Sequence, residues 1–225
     1  MHVIQKSILE SLKFRAPLSY NALWNKQGDS SKFAYHLRAL EKKGFVVNVH
    51  GMYTLSTLGI KYSDYLNLPT AQPIGVVVLV VKREGKVLVA TRSKFPFKGY
   101  AEFPASKVQW QETLLEAAKE RLTRKLGLSG TPTYKGVEHL KTIEEGTLIM
   151  HHQLHVFVVE DAKGEPKIGS WVDAMPFKPR AMQMPHNVQT LKIALAKGFS
   201  VAFGNIIKVG DTFPRYEANE FYSWK

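Results

Sequence analysis

Apolar residues at the start of the chain recur every three or four positions. Ile4, Ile8, Leu9 and Leu12 share one face, which predicts a helix over residues 2–14. Pro17 breaks it, and Ser19 can cap a short second helix over Tyr20–Trp24. Asp29 or Ser30 can cap a third helix reaching Lys43, with Phe33, Leu37 and Leu40 as its buried stripe. Gly44 stops it. Residues 45–49 then read as a strand, 50–52 as a hairpin tip and 53–55 as the returning strand. Ser56 or Thr57 opens a fourth helix to about residue 66, and a linker with two prolines covers 66–73.

Beyond the linker the periodicity changes. Residues 74–81 are a continuous apolar run, as expected of a strand buried on both faces. A turn at 83–86 leads to a returning strand over 87–90, then to a loop at 92–100 that mixes cations with rings. After Gly130 a weak strand is expected over 135–141 and a strong one over 148–159. Alternation puts His151, Gln153 and His155 on one face of that strand, with His152, Leu154 and Val156 on the other. Residues 161–169 read as a hairpin-like turn and 176–185 as a loop. A last helix opens at His186 or Asn187 and reaches about 197, with Val188, Leu191 and Leu195 as its stripe. Ile193 falls off that stripe. The tail over 204–225 carries Phe213, Tyr216, Phe221, Tyr222 and Trp224, so it is expected to pack on its own domain or on a second subunit.

Between the two strand groups lies SKVQWQETLLEAAKERLTRKLGL, residues 106–128. Leu114, Leu115, Ala118, Leu122 and Leu126 form a helical stripe, and Gly127 can end the helix in a left-handed conformation. Arg121, Arg124 and Lys125 fall at i, i+3 and i+4 and are expected on one face. That cluster is either a solvated surface or an anion site, since guanidinium suits phosphate oxygens.

Composition narrows the partners. The net charge of +12 favours acidic partners, nucleic acid first. Residues 1–70 hold nine Lys and Arg against four acids, a balance of +5. There is no cysteine, so disulfides and thiolate metal sites are excluded, which is compatible with a reducing cytoplasm. No apolar run approaches a membrane span, and the first residues read as an amphipathic helix and not as a signal peptide. His151 and His155 stand roughly 13 Å apart at about 3.3 Å per residue, too far to chelate one ion alone. No internal repeat, glycine-rich phosphate loop or local nucleophile motif is present.

Two resemblances follow from these residues. The segment SSKFAYHLRALEKKGFVVNVHGMYTLSTLG resembles the recognition helix and wing of ArsR- and MarR-like regulators, and the match covers about residues 1–68. The resemblance implies a winged helix-turn-helix whose third helix enters the major groove. Helical geometry turns Ser31, Tyr35, Arg38 and Lys42 away from the Phe33–Leu37–Leu40 stripe, with Lys32 and Lys43 flanking them. These side chains, with His50 at the wing tip, are the expected DNA contacts. His36 falls nearer the buried side and is read as structural.

Residues 106–128 resemble the signature helix of the Nudix hydrolases, whose box reads G, five residues, E, seven residues, R-E-apolar-x-E-E-x-G-apolar. The spacing fits from Ser106 through Glu112 to Leu128, but the chemistry departs from it. Ser106 stands at the family glycine and Glu120 at its arginine, while Arg121, Arg124 and Lys125 stand at three metal-binding glutamates. Magnesium wants hard oxygen ligands, and cations repel it. The departure implies loss of metal-assisted hydrolysis.

The expected architecture is therefore α+β: a winged helix-turn-helix over 1–68, a Nudix-like α/β/α sandwich with a mixed sheet over 73–200, and an aromatic-rich extension over 201–225. The expected function is a cytoplasmic, homodimeric transcription regulator that binds double-stranded DNA and is not an enzyme. Its Nudix-like part is expected to sense a nucleotide-type small molecule, with neither cofactor nor metal. Arg92, Lys94, Lys107, Glu112, Arg121, Arg124 and Lys125 are the candidate ligand contacts. Two alternatives stay open. One is a pyrophosphohydrolase with a displaced metal site drawing on Glu112, Glu116, Glu120, Glu144 and Glu145; the other is a Nudix-like scaffold used only for dimerisation.

Overall fold

Caps and helix breakers divide the N-terminal part of the chain where their chemistry dictates. The computed structural model describes residues 1–26, 28–63, 72–94, 96–174, 183–210 and 212–224. They fall into two compact units, Met1–Gln72 and Pro73–Lys225. In the first, α1 (Val3–Arg15) starts at His2, whose Nδ1 accepts from the Ile4 amide, and ends before Pro17. Then come β1 (Leu18–Ser19) and α2 (Tyr20–Trp24), capped by the Ser19 hydroxyl. Asp29 accepts from the amides of Ser31 at 2.7 Å and Lys32 at 3.3 Å, which fixes the start of α3 (Ser30–Lys42). The hairpin β2 (Val46–Val49) and β3 (Met52–Leu55) follows, then α4 (Thr57–Ser63). The three strands form one sheet in the order β1-β3-β2. Ile8, Leu9, Leu12, Leu23, Phe33, Leu37, Leu40 and Val46 make the core. The expected end of the fourth helix and most of the linker lie outside the described residues.

The second unit is built on one mixed sheet. Its strands are β4 (Ile74–Arg83), β5 (Lys86–Thr91), β6 (Ala101–Glu102), β7 (Ala105–Lys107), β8 (Thr133–Glu144), β9 (Thr147–Val159), β10 (Ser170–Asp173), β11 (Phe199–Lys208) and β12 (Arg215–Trp224). The order is β10-β5-β4-β9-β8-β11-β12, with β6 beside β5 and β7 beside β4. The β4–β9 and β8–β11 pairs are parallel. Each strand buries two faces in the centre. Val77, Leu79, Val81, Phe157 and Val159 pack under α5 (Leu114–Glu120), while Val76, Val78, Val80, Leu154, Val156, Ala202 and Ile206 pack under α6 (Asn187–Leu195). The result is an α/β/α sandwich.

Several expectations need correction. Residues 201–225 are not an appended extension: β11 and β12 are integral to the sheet. Gly136 permits the close β8–β11 approach, since a Cβ there would lie 2.0 Å from the Ser200 carbonyl oxygen. The weak strand expected over 135–141 is longer, because β9 pairs with it from Thr133 to Glu144 and β11 from Gly136 to Glu144. In α6, Ile193 is fully buried and Val188 and Leu195 are exposed. A polar pair inverts that stripe: Thr190 donates to the buried Glu138 carboxylate at 3.0 Å, turning the Asn187–Thr190–Ala194 face inward. In α5, Leu115 is 43% exposed and Ala117 is buried. These two residues flank the Leu114–Ala118 line on opposite sides, and the helix rolls toward the smaller one. The last turn, Arg121–Lys125, is π-helical: the Leu126 amide reaches back five residues to the Arg121 carbonyl.

Candidate ligand pocket

That π turn decides which cations face inward. Arg121 follows Ala117 and Ala118 by four and three residues, so it lies beside the buried stripe and is itself half-buried. Arg121 and Lys125 line a cavity of about 480 Å³. Arg124 does not: it is exposed and pairs with the Glu120 carboxylate four residues earlier. The three cations therefore do not share one face. The cavity's other walls come from β4, β6, β7, β8, β9 and β11, from the segments following β5, β6 and β7, and from the residues before α6.

Arg92, Lys94 and Lys107 also line the cavity. Arg92 is anchored: its Nη1 donates to Glu102 at 3.0 Å and its Nε to the Pro96 carbonyl at 2.9 Å. Glu112 stands outside the lining, where its carboxylate accepts from the Gln109 amide at 2.8 Å and closes the turn before α5. Residue-by-residue reading missed His186, Glu102, Gln109 and Thr142. His152 was placed on the Leu154–Val156 face, and that face turns out to be the cavity wall. His186 was read only as a helix start.

Burial sets the electrostatics. His186 is 9% exposed, its Nδ1 has no hydrogen-bond partner, and burial beside His152 and Arg92 pushes its pKa down to about 3. Burial also lowers His152, helped by Arg92, Lys107 and His151. Both imidazoles are therefore neutral at pH 7. Burial lowers Arg121 too, against the attraction of Glu102 and Glu120, and its Nε is buried without a partner. Glu102 is the one carboxylate among the described lining residues, and it is tied to Arg92.

In the first unit, Ser31, Lys32, Tyr35, Arg38, Lys42, Lys43 and His50 are all exposed, Tyr35 by 66%. His36 is buried and stacks on His2 with ring centroids 4.0 Å apart.

A sheet between two helices, with a pocket beside the helix of residues 106–128, can now be set against known proteins. The model of the NUDIX domain matches residues 71–187, just over half of the chain. The chain belongs to the Nudix family. Among solved structures, the second unit is similar to the mMutator MutT protein from Bacillus halodurans, with a TM-score of 0.51 and 17% identity over 65% of this chain and 97% of that one. A MutT NUDIX hydrolase from Burkholderia pseudomallei aligns with a TM-score of 0.47 and 20% identity, over 54% of this chain and 98% of that one. Among curated proteins nothing matches. The matched segment ends at the first residue of α6, so β11 and β12 lie beyond it in the sequence.

The divalent metal expected of a Nudix box does not fit the residues present. The three ligand positions carry Arg121, Arg124 and Lys125, and among the described residues no group of three or more His, Asp or Glu side chains is placed to hold an ion. The carboxylates a displaced site would need are engaged elsewhere. Glu112 holds Gln109, Glu116 caps Thr113, Glu120 pairs with Arg124, Glu144 with Lys208, and Glu145 accepts from the Gly210 amide.

Proposed function

We propose that this protein is a DNA-binding transcription regulator whose Nudix domain senses a phosphorylated nucleoside compound without metal and without hydrolysing it. The observation that carries the reading is the pair Arg121 and Lys125. They stand at metal-ligand positions of the Nudix box and still face the pocket, joined there by Lys107 and Lys94. A guanidinium with an unpartnered buried Nε is suited to a phosphate oxygen, which it can meet directly.

The first unit is the proposed winged helix-turn-helix. Its element order, helix–strand–two helices–hairpin, supports this, as does the outward row of Ser31, Tyr35, Arg38 and Lys42 on α3. Two-fold DNA sites suit a homodimer, which is proposed as the working form in the cytoplasm. Among the described residues no helix is long and apolar enough to cross a membrane.

Family membership favours a second reading, an active pyrophosphohydrolase. Thermal melting against nucleotides, nucleotide-sugars and dinucleotides, with and without Mg²⁺, separates the two. A sensor shows a raised midpoint with metal chelated. Mg²⁺-dependent turnover that disappears in Glu112→Gln or Glu120→Gln would instead establish the hydrolase. Stabilisation by no compound would leave the domain as a dimerisation scaffold.

A further inference from the structure

The lysines of the pocket, Lys94, Lys107 and Lys125, are exposed, whereas the two imidazoles sit deeper. His152 projects from β9 beside Leu154, and His186 immediately precedes α6. The wall holding His186 is well fixed: the Met184 amide and the Asn187 side-chain amide both donate to the Ala101 carbonyl, at 2.9 and 3.0 Å. Among the described residues His186 Nδ1 has no hydrogen-bond partner. A buried polar atom left unpaired costs free energy, so its position on the lining of a cavity points to a ligand.

We propose that His152 and His186 form the inner part of the anion site and that one of them binds a ligand phosphate as an imidazolium, taking up a proton as the ligand enters. This rests on the sensor reading and deepens it. The reason is charge. Among the described residues the charges of Arg92 and His152 act on His186, and those of Arg92, Lys107 and His151 on His152; Glu102 lines the same cavity but is bound to Arg92. With the pocket empty, burial first and this excess of cations second keep both rings neutral. A bound diphosphate, with two negative charges, offsets part of this cationic field, which favours the protonated ring, and it supplies the acceptor that Nδ1 lacks. Ligand and proton then bind with positive coupling, and each raises the affinity of the other by the same factor.

The proton balance is simple: one H⁺ passes from solvent to an imidazole nitrogen, and no covalent bond of the ligand changes. The test is calorimetric titration of the full chain with ADP-ribose in the presence of a chelator, in buffers of different ionisation enthalpy. ADP-ribose is chosen because its bridging phosphates do not titrate near neutrality. A ring restored to its ordinary pKa takes up about half a proton per ligand near pH 6.5. Affinity should accordingly rise as pH falls from about 7.5 to about 6. The uptake should vanish in His186→Gln or in His152→Gln, and histidine NMR shifts of the unaltered chain should identify the ring that gains the proton. Binding without proton uptake overturns this inference and leaves the sensor reading standing. No binding of ADP-ribose overturns the anion site, and the proton coupling with it.

Discussion

Single residues carry most of the chemistry here, and two of them give contrasting predictions. Glu138 is fully buried, and desolvation raises its pKa to about 8 despite the Thr190 hydroxyl that donates to it. A folded-state pKa above the unfolded value near 4.5 means that the native chain holds a proton the unfolded chain has released. Stability from this group is therefore complete below about pH 4.5, falls through the range up to about 8, and is flat above it. Glu138→Gln should remove that slope and melt at a higher temperature than the parent near pH 8; equal slopes in both would show that Glu138 ionises freely. The second prediction compares Arg121 with Arg124, three residues apart in the same turn. Arg121→Gln should weaken ADP-ribose binding about tenfold or more, on the order of one charge-assisted hydrogen bond. Arg124→Gln should change it little, because Arg124 pairs with Glu120 outside the lining. Equal effects would return both residues to a general electrostatic role.

At the scale of elements, what the chain spells out locally was legible and what depends on distant pairing was not. The ends of α2 and α3 followed from Ser19 and Asp29, because caps act within three residues. Alternation grouped His152 with Leu154 and Val156, and His152 and Leu154 do line the cavity together. The stripes of α5 and α6 were read correctly at Leu114, Ala118, Leu122, Leu126 and Leu191 and wrongly at Leu115, Val188 and Leu195, because apolar size was taken as the guide, while Ala117 and the Thr190–Glu138 hydrogen bond set how each helix rolls. Strands β11 and β12 were not legible as part of the sheet, since β12 joins it only through β11, whose own partner β8 lies about sixty residues upstream, and no local pattern encodes a parallel pairing across a helix. The same limit hid the pocket, whose walls come from six strands, the π turn and several connecting segments. The end of α5 gives a prediction of its own. Gly127 has φ +74°, and a Cβ there would lie 2.8 Å from Lys167 Cγ. Gly127→Ala should cost about 1 kcal/mol or more in a denaturant titration, the expense of a left-handed alanine. It should also loosen the π turn that presents Arg121. An unchanged midpoint would mean that the turn relaxes without strain.

The whole molecule joins a basic N-terminal unit to a cation-lined pocket, and its net charge of +12 makes some attraction to DNA inevitable. Non-specific attraction must therefore be separated from docking. Docking by α3 predicts that Arg38→Ala and Lys42→Ala each weaken duplex binding and each reduce the salt slope by about one unit, because each releases roughly one counterion fewer. A charge of the same sign elsewhere, Lys163 in the second unit, is the control: Lys163→Ala should leave the slope nearly unaltered. Equal slopes for all three variants would mean that the whole surface binds and that α3 has no special place. Regulation adds a stricter condition. A ligand shifts the DNA equilibrium only by the difference between its affinities for the free and the DNA-bound chain. If ADP-ribose lowers DNA affinity by some factor, saturating DNA must lower ADP-ribose affinity by that same factor. Arg121→Gln should abolish both effects while leaving DNA binding without ligand intact, since Arg121 belongs to the second unit. A ligand effect on DNA that persists in this variant would place the sensing site elsewhere in the chain.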